Sequence, residues 1–385
     1  MNQSLSLLLS ILLILIFIRR FHVGFAVFLG AISLGFLTIG LDSLKVFAST
    51  LISLQTLKFV TIITLAFTLA YSMQESGALD RITSSALSLF GKASVFVIPS
   101  MIGFLPMPGG AIVSAVMLKD IFAKFRIKPE KGTFLNYWFR HVWACLDPIY
   151  PSVIIALAVL EIDYTTLLRS TYPITLAMVV AGLPFITFGK FGDEKDFRGI
   201  LYILPILVVM ILTVFGLDLL YSLVLVVGAF CLITKPNFKV VARKVFNIKI
   251  YILLISLLYY KELIVVTNSA NALLNDMSSV GLPQSVSAFL LSFIIGFATG
   301  IESGYSAIAI PLLIPFIGVG SEIVSKNLLL VMGAGLIGVM LSPLHLCLIL
   351  TKEYYSANLE TVYFKYLIPA SILMSLGVVV VYLAS

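Results

Sequence analysis

Residues 296–311 read GFATGIESGYSAIAIP, and this stretch lies inside a longer apolar segment. A carboxylate, Glu302, stands between the glycines at 300 and 304. Glycine weakens a helix, and a charge inside hydrocarbon is costly. The stretch therefore predicts that the chain reverses direction at membrane depth, with Glu302 facing a polar cavity rather than lipid.

Apolar residues dominate the whole chain of 385 residues, since 60% are hydrophobic and only 11% are charged. A soluble domain of this size has too little interior to bury that much apolar surface. Alternating strand patterns are absent, so the composition predicts an all-α membrane protein that contacts lipid. The net charge of +7 comes from short basic loops between apolar runs, which is typical of membrane orientation and argues against a nucleic-acid partner.

The apolar runs predict ten transmembrane helices. The predicted spans are roughly 4–18, 23–41, 57–74, 133–160, 171–189, 199–216, 218–234, 249–267, 326–351 and 364–383. Two further stretches, 93–123 and 284–319, are too long for one helix and too interrupted by glycine and proline for two. We predict that each is a re-entrant hairpin, which returns to the side of the membrane from which it entered.

The distribution of basic residues supports this topology. With the Arg19-Arg20 turn in the cytoplasm, the cytoplasmic segments hold 19 of the 25 Lys and Arg residues. These segments are 19–22, 75–92, 119–132, 190–198, 235–249 and 352–365. Both termini are then predicted to lie outside.

The two halves of the chain resemble each other at offsets of 193 to 196 residues. Ala78-Leu79 matches Ala272-Leu273, Gly103-Phe104 matches Gly296-Phe297, Leu146-x-Pro148 matches Leu341-x-Pro343, and Pro173 matches Pro369. Each half has five spans and one hairpin, so the second half enters the membrane from the opposite face. We predict two inverted repeats, 1–190 with a broken span at 133–160 and 191–385 with a broken span at 326–351.

Four interruptions occupy corresponding positions in the two halves. They lie at 105–110 and 299–304 in the hairpins, and at 145–152 and 341–345 in the broken spans. Non-helical backbone survives at membrane depth only inside protein or beside a water-filled cavity. Paired interruptions of this kind indicate a transporter's binding site, and helix N-termini near Gly110 and Ser303 offer N–H groups to an anion.

The predicted site residues are concentrated at these interruptions. The substrate-binding candidates are Pro108, Gly109, Gly110, Thr299, Glu302, Ser303, Gly304 and His345. The ion-coupling candidates are Asp147, Glu302 and Ser342, and sodium would take Asp147 and Thr299 as metal ligands. If protons drive transport instead, the candidates are Glu302, Asp147 and His345. No cofactor other than Na⁺ or H⁺ is expected.

Several of these residues also have a structural interpretation. Glu302 and Asp147 could each cap a helix N-terminus, and His345 could be a packed neutral histidine. Arg140 could either extend its charge to the cytoplasmic interface or attract an anionic substrate. His141 lies near a loop and is a weaker candidate than His345.

Other polar features have no predicted function. Lys261 and Glu262 are adjacent and point about 100° apart on a helix, so we do not expect them to pair along one face. They could bridge to neighbouring helices, and we assign them no role. The glycines of residues 333–338 match G-x-G-x-x-G without a preceding strand, which favours close helix packing over a dinucleotide site. The three cysteines show no disulfide or metal-site spacing and are predicted to be small buried apolar residues: Cys145, Cys231 and Cys347.

The arrangement resembles the ion transporter superfamily, which includes the divalent anion/sodium symporters and the gluconate permeases. In particular, it resembles a prokaryotic family of predicted ten-span membrane proteins that is known by its architecture. The resemblance rests on the four interruptions and covers nearly the whole chain. It implies secondary active transport by an elevator-type mechanism, a homodimer, and the plasma membrane of a prokaryote. The symporters place Ser-Asn-Thr at each hairpin tip, where this chain has Pro-Met-Pro-Gly-Gly and Gly-Ile-Glu-Ser-Gly, so their dicarboxylate substrate does not carry over.

We therefore expect a cation-coupled secondary active transporter of a small polar solute, with an organic anion favoured, rather than an enzyme. Its expected partners are membrane lipid, the solute and a second copy of the chain. An ion or solute channel is the alternative. An intramembrane hydrolase using Ser303 and His345 is less favoured, because the G-x-S-x-G motif is absent.

Overall fold

The computed structural model describes residues 2–105, 110–186 and 196–385, and no β-strand occurs in these ranges. In the first half the helices are α1 (Gln3–Phe17), α2 (Val23–Ile39), α3 (Asp42–Ile52), α4 (Leu54–Glu75), α5 (Ala78–Phe90), α6 (Ser94–Gly103), α7 (Gly110–Lys124), α8 (Pro129–Arg140), α9 (Pro151–Leu160) and α10 (Tyr164–Gly182). In the second half they are α11 (Leu204–Val214), α12 (Leu219–Thr234), α13 (Phe238–Val245), α14 (Ile248–Thr267), α15 (Ser269–Ser279), α16 (Gln284–Thr299), α17 (Glu302–Leu312), α18 (Ile314–Ile317), α19 (Ser325–Leu341), α20 (Leu346–Tyr355), α21 (Leu359–Val362) and α22 (Ile368–Ala384). The predicted all-α class is confirmed for the described residues.

Six helical stretches are long and apolar enough to cross a membrane. They are Leu54–Glu75, Ala78–Gly103, Tyr164–Phe185, Ile248–Thr267, Ser325–Tyr355 and Leu359–Ala384. The pair α15 and α16 passes the same test together, with a bend of 118° between them. The other predicted spans are occupied at least in part by shorter apolar helices. The helices identify an integral membrane protein, and the number of ten spans stays a prediction.

Helices also occupy segments that were predicted only as cytoplasmic connections. Most of 75–92 forms α5, which continues through a 3₁₀ turn at Gly91–Ala93 into α6. The face of α5 that carries Ala78, Leu79 and Ile82 is buried, so the helix is amphipathic. Because its other face is polar, such a helix is not recognised when only fully apolar spans are counted. The apolar stretch Ala78–Gly103 thus begins well before the predicted start of the hairpin at residue 93.

The two halves place similar helices in the same order, and they pack into each other. Helix α2 packs on α14 while α12 packs on α4, and α9 packs on α17 while α20 packs on α7. In the predicted alignment of the halves, α2 corresponds to α12, α4 to α14, α7 to α17 and α9 to α20. The contact between α2 and α14 therefore corresponds to the contact between α12 and α4, and the contact between α9 and α17 corresponds to that between α20 and α7.

Glycines set the closest approaches between helices. A Cβ atom on Gly103 would lie 2.2 Å from the carbonyl oxygen of Arg140, and one on Gly296 would lie 2.2 Å from that of Gly335. The two contacts correspond at offsets of 193 and 195 residues. A Cβ on Gly338 would lie equally close to the carbonyl oxygen of Phe293, which confirms close helix packing for the G-x-G-x-x-G stretch.

Candidate functional site

The tip of the second hairpin is a two-residue reversal between α16 and α17. Gly300 ends α16 with φ +62°, a left-handed conformation that favours glycine, and Ile301 is extended before α17 begins at Glu302. A Cβ on Gly300 would lie 2.8 Å from Ser342 Oγ. The tip therefore rests directly on the interruption between α19 and α20.

The first broken helix is interrupted over residues 141–150, between α8 and α9. The sequence predicts this break at 145–152, from the prolines at 148 and 151 and their polar neighbours, so the observed break starts four residues earlier and ends two residues earlier. Buried hydroxyl groups from outside the segment donate to its carbonyl oxygens, as buried backbone requires. These bonds join Ser152 Oγ to Ala144 (2.7 Å), Tyr164 Oη to Leu146 (2.7 Å) and Thr175 Oγ1 to Val142 (2.9 Å).

The second broken helix is interrupted at Ser342–His345, between α19 and α20, as the sequence predicted. Ser342 Oγ accepts a hydrogen bond from the Leu344 backbone N–H at 3.2 Å. Pro343 has no N–H to continue the helix at this point. The short break leaves the side chain of His345 buried and close to the hairpin tip.

A cavity of about 500 Å³ opens where the hairpin tip meets the two breaks. Its polar wall is formed by residues of the tip and of both broken helices: Gly300, Glu302, Ser303, Arg140, His141, Tyr150, His345 and Cys347. The residues just before α2 and α14 contribute His22 and Asn247, and the first turn of α14 contributes Lys249. Burial and nearby Lys249 lower the pKa of His22, so at neutral pH this histidine is neutral and Lys249 supplies the positive charge.

Glu302 lies between two histidines. Its Oε1 is 3.1 Å from His141 Nε2 and 3.9 Å from His345 Nε2. The other nitrogen of His141, Nδ1, is 2.6 Å from the carbonyl oxygen of Tyr137. The side-chain donor atoms of His141, His345 and Cys347 all lie within 4.8 Å of one another.

Arg140 places a second buried charge at the cavity. The residue is only 4% exposed, and its Nη1 is 3.5 Å from the carbonyl oxygen of Ile102. Its Nε has no hydrogen-bond partner among the described residues. A Cβ on Gly110 would lie 2.3 Å from Arg140 Nη2, so the guanidinium covers the first residue of α7. Pro108 and Gly109, predicted to bind substrate beside Gly110, lie outside the described residues.

The predicted sodium ligands lie around this region without direct bonds to one another. Asp147 is fully buried in the first break, where Oδ1 accepts from the Ile149 N–H at 3.1 Å and Oδ2 has no hydrogen-bond partner in the described ranges. Thr299 Oγ1 donates to the Gly296 carbonyl of its own helix at 3.3 Å. Gly304 packs behind it, since a Cβ there would lie 3.1 Å from Thr299 Cβ. Within the described chain, no hydrogen bond links Asp147 to Thr299 or to Ser342.

The cluster around Glu302 consists of His141, His345 and Cys347. Two of its members, His141 and Cys347, are more prominent in the structure than the sequence indicates. His141 was ranked low because it adjoins a loop, but that loop is the buried interruption itself. Cys347 was interpreted as an apolar residue, whereas it is only partly buried and lines the cavity. The available signal was the spacing His345-x-Cys347, which places two donor groups at the start of α20.

Lys261 pairs with its neighbour Glu262, contrary to the prediction, and it also bridges to another helix, as the sequence allowed. Lys261 Nζ bonds to Glu161 Oε1 at 2.7 Å and also to Glu262 Oε1 at 3.1 Å. Adjacent positions do not face each other on a helix, but the long lysine side chain reaches its neighbour. The ammonium group is buried, and this pairing gives it a structural partner on another helix segment.

The fold and this site define an all-helical integral membrane protein with a charged cavity among broken helices. The chain belongs to the family described as "Protein of unknown function (DUF401)", whose profile matches residues 1–384. No curated protein sequence matches it. Among solved structures, the crystal structure of the YdaH transporter of Alcanivorax borkumensis is similar, with a TM-score of 0.60 and 13% sequence identity. The match covers 99% of this chain and 98% of that chain, and it shows a shared fold.

Proposed function

We propose that this protein is a cation-coupled secondary active transporter of a small polar solute, and that the solute is an organic anion. The observation that carries the proposal is the convergence of a hairpin tip and two helix breaks on one cavity of about 500 Å³. Cavities of roughly 300–1,000 Å³ are typical of small-molecule sites. Buried ionisable groups are costly in a membrane protein, and here four of them line the cavity wall: Arg140, His141, Glu302 and His345. The fold shared with a transporter supports the same conclusion.

The positive charge near the cavity supports an anionic solute. Arg140 lines the cavity, and its guanidinium lies against the first residue of α7, where a helix N-terminus also favours negative charge. Lys249 adds a second cation in the first turn of α14. A carboxylate or similar group would bind between these features, with Ser303 and the N-terminus of α17 on the opposite wall.

The packing of the two halves supports an inverted repeat within the ion transporter superfamily. Exchanged packing pairs are what a pseudo-two-fold axis produces, and we propose that this axis lies in the membrane plane, as in inverted repeats. We propose ten spans, re-entrant hairpins, both termini outside, and an elevator-type homodimer in the plasma membrane of a prokaryote. In that orientation His22 and Lys249 lie at the cytoplasmic ends of α2 and α14, so we propose that the cavity represents an inward-open state.

For the coupling cation we propose sodium held near Asp147, whose Oδ2 has no hydrogen-bond partner among the described residues, with Thr299 and Ser342 as further oxygen donors. A proton is the other candidate. Uptake driven by a sodium gradient would identify sodium as the coupling cation, and uptake driven by a proton gradient would identify the proton.

The test begins with a thermal-shift screen of purified protein against small organic anions, with and without sodium. Solutes that stabilise the protein are then followed into proteoliposomes under a sodium or a proton gradient. Saturable uptake that one gradient drives, together with counterflow, is the expected result. Single-channel conductance, or uptake that does not respond to either gradient, would overturn the proposal. If the protein is a hydrolase instead, Ser303→Ala abolishes hydrolysis, whereas it only weakens transport.

Two arginine variants locate the anion site. Arg140→Gln removes a charge-assisted contact of about 1.5–3 kcal/mol, so uptake at low solute concentration should fall at least about tenfold. Arg169→Gln is the matched control, because Arg169 is exposed and contributes nothing to the cavity lining. If gel filtration shows that both variants are folded, equal uptake by the two would show that Arg140 does not bind the solute.

A further inference from the structure

We propose that Glu302, His141, His345 and Cys347 form a binding site for one divalent transition-metal ion, such as Zn²⁺, on the cavity wall. The site goes beyond the proposed transport activity, because binding of the metal requires neither a solute nor a gradient. It also differs from the predicted sodium ligands in its donor atoms. Two imidazoles, a thiol and a carboxylate suit zinc or cobalt, whereas sodium prefers oxygen donors alone.

The donor atoms are already close to the spacing that one ion needs. Zinc bonds of about 2.0–2.3 Å in tetrahedral geometry place the ligand atoms about 3.3–3.8 Å apart. Oε1 of Glu302 lies 3.1 Å from His141 Nε2 and 3.9 Å from His345 Nε2. The donor atoms of the two histidines and Cys347 are all within 4.8 Å of one another. Closing the widest of these separations, up to 4.8 Å, to the spacing around zinc requires donor atoms to move by up to about 1 Å, which side-chain rotation can supply.

A hydrogen bond outside the cluster fixes the proton on Nδ1 of His141. The carbonyl oxygen of Tyr137 can only accept, so Nδ1 of His141, 2.6 Å away, must carry a proton. In the neutral ring Nε2 then presents its lone pair toward Glu302 Oε1, as in metal sites where a carbonyl orients the histidine ligand. Two acceptors this close need a proton or a cation between them, and a metal ion would satisfy both.

Charge and access also fit a divalent ion. A carboxylate and a thiolate together balance the charge of M²⁺, so the occupied site is neutral in its low-dielectric surroundings. Glu302, His345 and Cys347 line the cavity, which gives the ion an entry path. Because the ligands come from α17, from the end of α8 and from the start of α20, a bound ion would tie the hairpin tip to both broken helices.

Cobalt titration of the full-length protein in detergent, after removal of metals with a chelator, tests the site. We expect one Co²⁺ per chain, with visible ligand-field bands, a near-ultraviolet thiolate-to-cobalt band, and displacement by Zn²⁺. Cys347→Ser should remove the thiolate band and weaken binding at least about tenfold. Cys231→Ser is the matched control, because Cys231 is also partly buried but lies in α12 beside Ser72, and its spectrum should match that of the unchanged protein.

A second measurement keeps the test decisive if Cys347→Ser does not fold. X-ray absorption of the zinc-loaded, unsubstituted protein should show one sulfur neighbour at about 2.3 Å and nitrogen or oxygen neighbours at about 2.0–2.1 Å. Absence of ligand-field bands with excess Co²⁺, a thiolate band that survives Cys347→Ser, or a zinc shell without sulfur would each overturn the proposal. A failed transport assay leaves these readouts unchanged, so the two proposals fail separately.

Discussion

The closest approach between α16 and α19 predicts a large effect from a single methyl group. In Gly296→Ala the new Cβ would lie 2.2 Å from the Gly335 carbonyl oxygen, and real Cβ contacts essentially never fall below 3.0 Å. The helices must therefore separate by at least 0.8 Å, the difference between those distances. Overpacking of this kind costs about 1–3 kcal/mol. Because α16 carries the hairpin tip, the same movement should also displace Glu302 from its histidines.

Gly228→Ala provides the control, since Gly228 lies in α12 with nothing within 4 Å of the added Cβ. Alanine should be neutral there or stabilise the helix by up to about 1 kcal/mol. Gly103→Ala, whose Cβ would meet the Arg140 carbonyl oxygen at 2.2 Å, should resemble Gly296→Ala. Unfolding free energies in mixed detergent micelles would measure all three. If Gly296→Ala proves as stable as Gly228→Ala, the argument from helix contact is wrong.

Three further substitutions test the tip and the breaks. Gly300→Ala and Gly281→Ala share the strain of positive φ, about 1–2 kcal/mol, but only position 300 has close neighbours, so thermal melting should show a larger loss there. Ser152→Ala leaves a buried carbonyl in the first break unpaired and should cost about 1–3 kcal/mol, whereas Ser375→Ala, whose hydroxyl bonds within its own helix, should change chemical unfolding little. Tyr137→Phe removes hydroxyl bonds of 3.3 and 3.2 Å to α19 and should cost about 0.5–1.5 kcal/mol, and an unchanged melting temperature would contradict that assignment.

The sequence predicts features of this fold that depend on local chemistry. Glycine at 300 and prolines at 148, 151 and 343 act on their own backbone, so the hairpin tip and both helix breaks could be located from residue type alone. The start of the first break was displaced by four residues. Its observed position depends on hydroxyl groups of α9 and α10 that donate hydrogen bonds to the backbone of the break. The local sequence of the break does not indicate those bonds.

The composition of the site was harder to predict. Glu302 and His345 were identified because polar residues stand out in apolar sequence. His141 was only a weaker candidate and Cys347 was not a candidate, since the two residues are 206 positions apart in the chain and meet only through the packing of one break against the other. Amphipathic helices such as α5 were passed over for a related reason, because their apolar face becomes evident only when a partner covers it.

The exchange of packing partners between the halves has a consequence for the assembly of the chain. Helix α4 is covered by α12 and α13, and α9 by α17, so the first half emerges from the ribosome with surfaces whose partners are synthesised later. We therefore expect that neither half folds completely on its own. Two fragments divided within 187–195 should be unstable when expressed singly and should complement each other when co-expressed.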